Sequence, residues 1–288
     1  MAHSHALKAR QMPPSLWDST VLGAIQGLTE ILPVSRAGHV ALAELLFEME
    51  PRALALELLL RAATLLATVI MLWPQVKAAA RGGFAGLLEP SLFATTAGAR
   101  DAMVVLLAFV PSFSASFLLR HSVERFSHSP LVIGLGLLVT AAVLIGSRFA
   151  RPGREEQPGV VGALLLGTAQ GLAVLPGLSS IALTITLALL FGVRRARAFE
   201  LSLLVSLPAS LGALVLGLWA ARAESQPLFT PELLGPAAVG TLAAFLASMA
   251  ALWLLRISVA AGRLSWFAAW LVPVSVATLA LAKAWPHG

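Results

Sequence analysis

Six stretches of this chain, at roughly 54–73, 101–120, 130–149, 199–221, 235–256 and 264–284, stay apolar for about 20 residues, the length that carries an α-helix across bilayer hydrocarbon. Packed in water, six such helices would leave most of their apolar sides uncovered. Only 12% of the residues are charged and 58% are hydrophobic, whereas a soluble domain carries about 25% charged residues to coat its surface. A soluble enzyme is thereby excluded. The expected fold class is an all-α polytopic membrane protein, with residues 1–288 forming a single membrane domain. There are no cysteines, which excludes a disulfide scaffold, a thiolate metal site and a cysteine nucleophile. The net charge of +6 would suggest nucleic acid in a soluble protein. Here the basic residues stand between apolar spans and read as orientation signals, so no nucleic-acid partner is expected. Met1 to Ser15 lacks the ordered regions of a signal peptide and reads as a short polar tail.

Two further apolar segments, 18–48 and 159–192, are broken at their centres by Pro, Gly and Ser. The breaks read Leu32-Pro33-Val34-Ser35-Arg36-Ala37-Gly38-His39 and Leu175-Pro176-Gly177-Leu178-Ser179-Ser180. The halves on either side are too short to span. Irregular backbone at membrane depth survives only when buried in protein or lining a wet cavity, so both segments are expected to be re-entrant helix–loop–helix hairpins. Gln26-Gly27-Leu28 recurs as Gln170-Gly171-Leu172, offset by 144 residues, half of the chain. At that offset Ser35 pairs with Ser179 and Arg36 with Ser180. Each hairpin is followed by three full spans. Because three is odd, the second half enters the membrane with opposite polarity, an inverted-topology repeat of 17–150 and 159–285 with its site near the midplane.

If both hairpins return to the side they enter from, 11 Lys and Arg face one side and 7 the other, with Arg36 and Arg61 inside membrane segments. The richer side is expected to be cytoplasmic and both termini outside. Trp17, Trp73, Trp219, Trp266 and Trp285 fall near span ends, as an interfacial aromatic belt requires.

A charge inside the membrane is costly, which makes Glu30, Arg36, His39 and Arg61 the functional candidates. Gln26 and Glu30 are four apart and share a helix face that leads into Ser35, Arg36, Gly38 and His39. Carboxylate, hydroxyl, guanidinium and imidazole in one loop suit oxygen ligation of a divalent ion, a bidentate grip on phosphate, and nucleophilic or acid–base work. The second loop adds Ser179, Ser180 and Thr184, and a helix start after Gly177 would aim N–H groups at an anion. The structural alternatives are plain ones. Glu30 and Arg36 could merely pair, His39 could pack, and Arg61 could snorkel. Ser179, Ser180 and Thr184 could be small packing residues, and Glu44, Glu48, Glu50 and Glu57 read as solvated.

At these residues the chain resembles the undecaprenyl-diphosphate phosphatase family, the bacitracin-resistance type of integral membrane enzyme. The resemblance rests on Gln26 to Ser35 with Gly38-His39, on Leu201-Ser202-Leu203-Leu204-Val205-Ser206-Leu207-Pro208, on Met71-Leu72-Trp73 and on Pro111, and covers roughly 17–285. It implies hydrolysis of the terminal phosphate of a C55 polyprenyl diphosphate, recycling the lipid carrier of cell-wall glycans in the bacterial inner membrane. It also implies a divalent cation, Mg²⁺ or Ca²⁺, and a site facing the periplasm. Carried across, Glu30 holds the metal or acts as base, Gln26 stands beside it as a second ligand, and Ser35 or His39 is the nucleophile or proton carrier. The expected partners are the lipid diphosphate, the bilayer and, left open, a second copy of the chain.

The second motif departs from the family's Pro-Gly-x-Ser-Arg-Ser-Gly: here Ser180 stands at the arginine position, followed by Ile181-Ala182. Arg36 in turn occupies a position that is serine in relatives, and Arg36 and Ser180 are equivalent in the 144-residue repeat. One exchange of the phosphate-gripping arginine between two symmetry-related loops explains both departures. The competing reading is a decayed site in which Arg36 only neutralises Glu30. Arg61 stands where relatives have glutamine. Phosphatase is therefore the first expectation, and a polyprenyl-phosphate carrier or binding relic the second.

Overall fold

The computed structural model describes residues 15–46, 54–127, 129–151, 153–223 and 230–284. Lys8, Arg10, Glu48, Glu50, Arg52 and Trp285, and the side chains of Glu44 and Lys283, lie outside them. The described residues form helices with no strand: α1 (Leu16–Ile31), α2 (Arg36–Leu46), α3 (Leu54–Met71), α4 (Trp73–Leu88), α5 (Leu92–Thr95), α6 (Ala97–Phe126) and α7 (Pro130–Gly146), then α8 (Gly159–Leu172), α9 (Ser180–Leu190), α10 (Arg195–Ala223), α11 (Pro231–Ala260) and α12 (Ala268–Ala284). Six are long and apolar enough to cross a membrane, and they fall on the six stretches read from the sequence. They face outward to an extent no water-soluble bundle shows: the most apolar window of α6 is only 22% buried. Its Phe109, Phe113 and Phe117 form an exposed stacked row. This is a multi-pass membrane protein whose outer surface is built for lipid.

The two broken segments form helix pairs, α1–α2 and α8–α9, each turned at the Pro-containing break. Ser15 starts α1 as a capping box, its hydroxyl taking the Asp18 N–H while the Asp18 carboxylate takes the Ser15 N–H. Both α2 and α9 are 11 residues long, opened by Arg36 and Ser180 respectively. Each first arm lies against a long helix of the other half with no side chain between the backbones. A Cβ on Gly23 or Gly27 would stand 2.2 Å from the Gly240 carbonyl oxygen or 2.3 Å from that of Ala244, on α11. One on Gly167 or Gly171 would stand 2.0 Å from the Ala108 oxygen or 2.5 Å from that of Ser112, on α6. The glycines are 144 residues apart pair by pair, and their targets 132 apart. Small residues at four-residue spacing let helices approach to backbone contact in a membrane. Leu137, Leu166, Ile185, Leu252 and Leu255 fill the centre of the molecule and are fully buried. Two elements have no counterpart in the sequence reading: α4, which α3 turns into at Trp73-Pro74, and the single turn α5.

Candidate functional site

The first hairpin turns where its sequence forbids a continuous helix. Leu32 is extended (φ −68°, ψ 150°) and Pro33 follows, which cannot continue the helix. Ser35 completes the reversal at φ +69°, the one non-glycine residue in the left-handed region among the described residues. Such a conformation costs about 1–3 kcal/mol and persists only where its surroundings over-determine it. The Ser35 oxygen atoms do so here: Oγ takes the Gly38 N–H (3.3 Å) and the carbonyl takes the His39 N–H (3.2 Å).

Arg36 opens α2 and reaches back to α1, its Nε 2.7 Å from Glu30 Oε2, with both side chains about a quarter exposed. Gln26, fully buried one turn earlier, donates from Nε2 to the same oxygen at 3.1 Å. Both contacts fall on Oε2, which leaves Glu30 Oε1 without a partner among the described residues. His39 turns elsewhere. Its Nδ1 is 3.0 Å from the Ser35 carbonyl and its Nε2 accepts the Trp270 indole N–H at 2.9 Å, the two rings stacking at 6.2 Å. Nδ1 therefore carries the proton, and neither ring nitrogen faces Glu30. Arg61 pairs with Glu57 one turn away (3.1 Å), yet it is only 17% exposed and lies within electrostatic range of Arg36 and Glu30.

The second hairpin turns at Pro176-Gly177, with Gly177 at φ +86°. Thr140 of α7 pins this turn, donating to the Gly177 carbonyl (2.8 Å) and accepting the Ser179 N–H (3.2 Å). Ser179 caps α9 through its bond from the Ala182 N–H. Thr184 is fully buried and hydrogen-bonds Ser202 and the Ser180 carbonyl.

The two tips meet. A Cβ on Gly38 would stand 3.4 Å from Gly177 Cα. A cavity of about 40 Å³, room for a water-sized occupant, draws its wall from both hairpins. Its polar lining comes from Glu30 of the first hairpin, Gln170 and Ser180 of the second, Thr64 and Thr68 of α3, and Ser206 and Ser210 of α10, and the rest of its wall is Ile and Leu. Glu30 and Ser180 are thus brought to one place, while Gln26, Ser35, Arg36, His39, Arg61, Gly177, Ser179 and Thr184 do not line it. Thr64, Thr68, Ser206 and Ser210 were not singled out from the sequence, although hydroxyls four residues apart in apolar spans present one polar face and could have marked them. Gln170 was noticed only as part of the repeat.

The donor set of this region is oxygen throughout. Glu30 is its carboxylate, and the buried amide oxygens of Gln26 and Gln170 are both without a hydrogen-bond partner. No group of three or more His, Asp or Glu gathers among the described residues. A single carboxylate with neutral oxygens fits a hard cation that completes its shell with water and phosphate, and fits no soft metal.

Known proteins resemble this chain over most of its length. A protein of Desulfatibacillum aliphaticivorans named undecaprenyl-diphosphatase is 37% identical over 270 residues, covering 89% of this chain and 95% of that one. Proteins of the same name from Bacteroides fragilis and Korarchaeum cryptofilum are each 34% identical, over 93% and 91% of this chain and 98% and 97% of their own lengths. The family described as bacitracin resistance protein BacA matches residues 19–277, and the chain belongs to it.

Proposed function

We propose that this protein hydrolyses undecaprenyl diphosphate to undecaprenyl phosphate and inorganic phosphate. The observation that carries the reading is that Glu30 of the first hairpin, paired with Arg36, and Ser180 of the second line one cavity. The relatives' name supplies the substrate, and the outward-facing apolar surface suits a lipid carrier.

Arg36 takes the role of phosphate clamp, supplied from the first loop instead of the second. Arg36 and Ser180 open equivalent helices, so a guanidinium from either loop reaches the same place. In the resting state Glu30 holds Arg36 in position (2.7 Å). A diphosphate then offers the guanidinium a second anionic partner, in bidentate geometry. Arg61 adds positive potential behind it. Glu30 Oε1, with the Gln26 and Gln170 amide oxygens, would hold a divalent cation, Mg²⁺ or Ca²⁺. That ion would neutralise charge developing on the phosphoryl oxygens. Ser35 is the favoured nucleophile over His39, since both imidazole nitrogens are engaged while Ser35 Oγ accepts one backbone N–H. Ser35 Oγ would bond to the terminal phosphorus as its bridging P–O bond breaks, the hydroxyl proton passing to solvent. Water would then cleave the phosphoserine and return the hydroxyl. Undecaprenyl phosphate leaves and a water oxygen ends on the released phosphate.

In this reading the hairpins are re-entrant and the halves form an inverted repeat. The arginine-rich end lies in the cytoplasm of a bacterial inner membrane, the termini lie outside, and the site opens to the periplasm.

The test is phosphate release from a C55 or shorter polyprenyl diphosphate by the purified protein, with Mg²⁺, Ca²⁺ or EDTA. The expected result is metal-dependent release that Glu30→Ala and Ser35→Ala abolish and His39→Gln only reduces. No release under any metal, from folded protein that still binds the lipid, would replace the phosphatase reading with a carrier.

A further inference from the structure

A second and larger cavity, of about 680 Å³, opens at the arginine-rich end, between the C-terminal ends of α7, α9 and α11 and the starts of α10 and α12. It is separate from the oxygen-lined site. Ser180 of α9 lines the one and Leu189 the other, about 13 Å apart along the helix at ~1.5 Å per residue. Three arginines, Arg148, Arg151 and Arg195, line it, and no carboxylate does. Its floor is apolar, with Leu189, Val259 and Leu264 buried, and Trp266 stands exposed at its rim.

The three arginines of the cavity are not spent on carboxylates. On the same end of the molecule Arg194 is paired with Glu156, and Arg197 with Asp101, Glu156 and Glu200. Arg148 and Arg151 have no ion pair or side-chain hydrogen bond among the described residues. Arg195 is held without being neutralised: its Nη1 donates to the Ala260 carbonyl (3.3 Å), and its guanidinium packs where a Cβ on Gly262 would stand only 2.5 Å from Nη2. Gly262 is at φ +70°, so the chain keeps a residue there that leaves this space open. The charge is thus concentrated, positioned and unspent, over apolar side chains, at the level where span ends meet the membrane interface. A cavity of this size takes a small ligand or a headgroup with its first methylenes, and juxtamembrane basic pockets between helices suit anionic headgroups.

We propose that this cavity binds the phosphate headgroup of an anionic membrane lipid, with Arg148, Arg151 and Arg195 on the phosphate oxygens and the acyl chains leaving past Trp266. The proposal is independent of the catalytic reading, since it uses no residue of that site.

The test titrates the delipidated full-length protein in detergent with phosphatidylglycerol, with phosphatidylcholine and with inorganic phosphate, reading affinity and thermal stabilisation. Phosphatidylglycerol is expected to bind at least tenfold more tightly than phosphatidylcholine. That preference should be lost in Arg148→Ala/Arg151→Ala/Arg195→Ala and kept in Arg120→Ala/Arg125→Ala, which removes exposed cations elsewhere. Ala269→Glu places a carboxylate in the cavity wall with all three arginines intact, and it should also lose the preference; it decides the matter if the triple variant does not fold. A preference unchanged in the folded variants overturns the proposal. Inorganic phosphate binding as tightly as the lipid overturns the lipid assignment.

Discussion

Glu30 and Ser180 line one cavity, and Arg36 pairs with Glu30. The spacing of Gln26 and Glu30 announced a shared helix face, and the 3.1 Å bond between them is its consequence. The 144-residue offset likewise announced that Arg36 and Ser180 are equivalent. If the arginine has been exchanged between loops, Arg36→Ser should lower kcat/KM by about 10²- to 10³-fold, the usual effect of removing one electrostatic stabiliser of a transition state. Adding Ser180→Arg should restore at least tenfold of that loss. A double variant no better than Arg36→Ser alone would mean that the second loop can no longer present a guanidinium. Other residues were legible by type and not by place. Thr184 carries the hydroxyl a phosphate site could use, yet the rotation of α9 about its axis spends it on Ser202 and the Ser180 carbonyl. That rotation is set by packing against α10, which no local pattern encodes.

The helices themselves were legible because hydrocarbon imposes a length and a composition on anything that crosses it. Their ends were less so. α6 runs from Ala97 to Phe126, past the apolar 101–120, because helix continues into the polar region where Arg120 and Glu124 are solvated. α4 escaped detection because Lys77 and Arg81 interrupt its hydropathy; it is held instead by backbone contact with α6. A Cβ on Gly82 would meet the Ala99 nitrogen at 2.3 Å, and one on Gly98 the Ala78 oxygen at the same distance. The same device docks α8 on α6, which yields a sharp contrast between two substitutions. Gly167→Ala forces a methyl group to 2.0 Å from the Ala108 oxygen and should destabilise the protein by about 1–3 kcal/mol. Gly212→Ala meets nothing within 4 Å and should be neutral or slightly stabilising, since alanine favours helix. Equal thermal denaturation midpoints for the two would sink this account of the α8–α6 interface.

At the scale of the whole molecule, charge is segregated. The arginine-rich end is laced together by an ionic network in which buried Arg197 joins Asp101 of α6 to Glu200 of its own helix and Glu156 of the preceding loop. Gln157 and Gln75 tie the loop and α4 into it, through Asp101 at 2.6 Å and Glu200 at 3.0 Å. Glu156 is the exposed member, and its hydrogen bond from Arg194 holds its carboxyl below the ordinary value of 4.5. A depressed carboxyl stabilises the folded state fully above its ordinary pKa and loses that contribution as the pH falls through its folded value. Glu156→Gln should therefore lower stability at pH 7, by no more than about 1 kcal/mol for so exposed a pair. The difference from the unsubstituted protein should shrink as the pH drops below 4.5. Melting curves with a constant difference from pH 7 to pH 3 would rule out this linkage.

The sequence by itself determined the apolar character of the outer surface, the number of long helices, where the two short hairpins break, and which ionisable groups fall within apolar segments. Each of these follows from a local rule: apolar length, proline's missing N–H, or the cost of a charge in hydrocarbon. Only the tertiary structure decided that Gly38 comes against Gly177, that Ser206 and Thr68 face the same cavity as Glu30, and that His39 turns to Trp270. It also decided that Arg148 and Arg151, just after α7, share one unneutralised cavity with Arg195 of α10. These partners are separated by tens to hundreds of residues along the chain. Their meeting depends on the rotation and depth of each helix, which backbone-to-backbone packing at the small residues sets for the molecule as a whole.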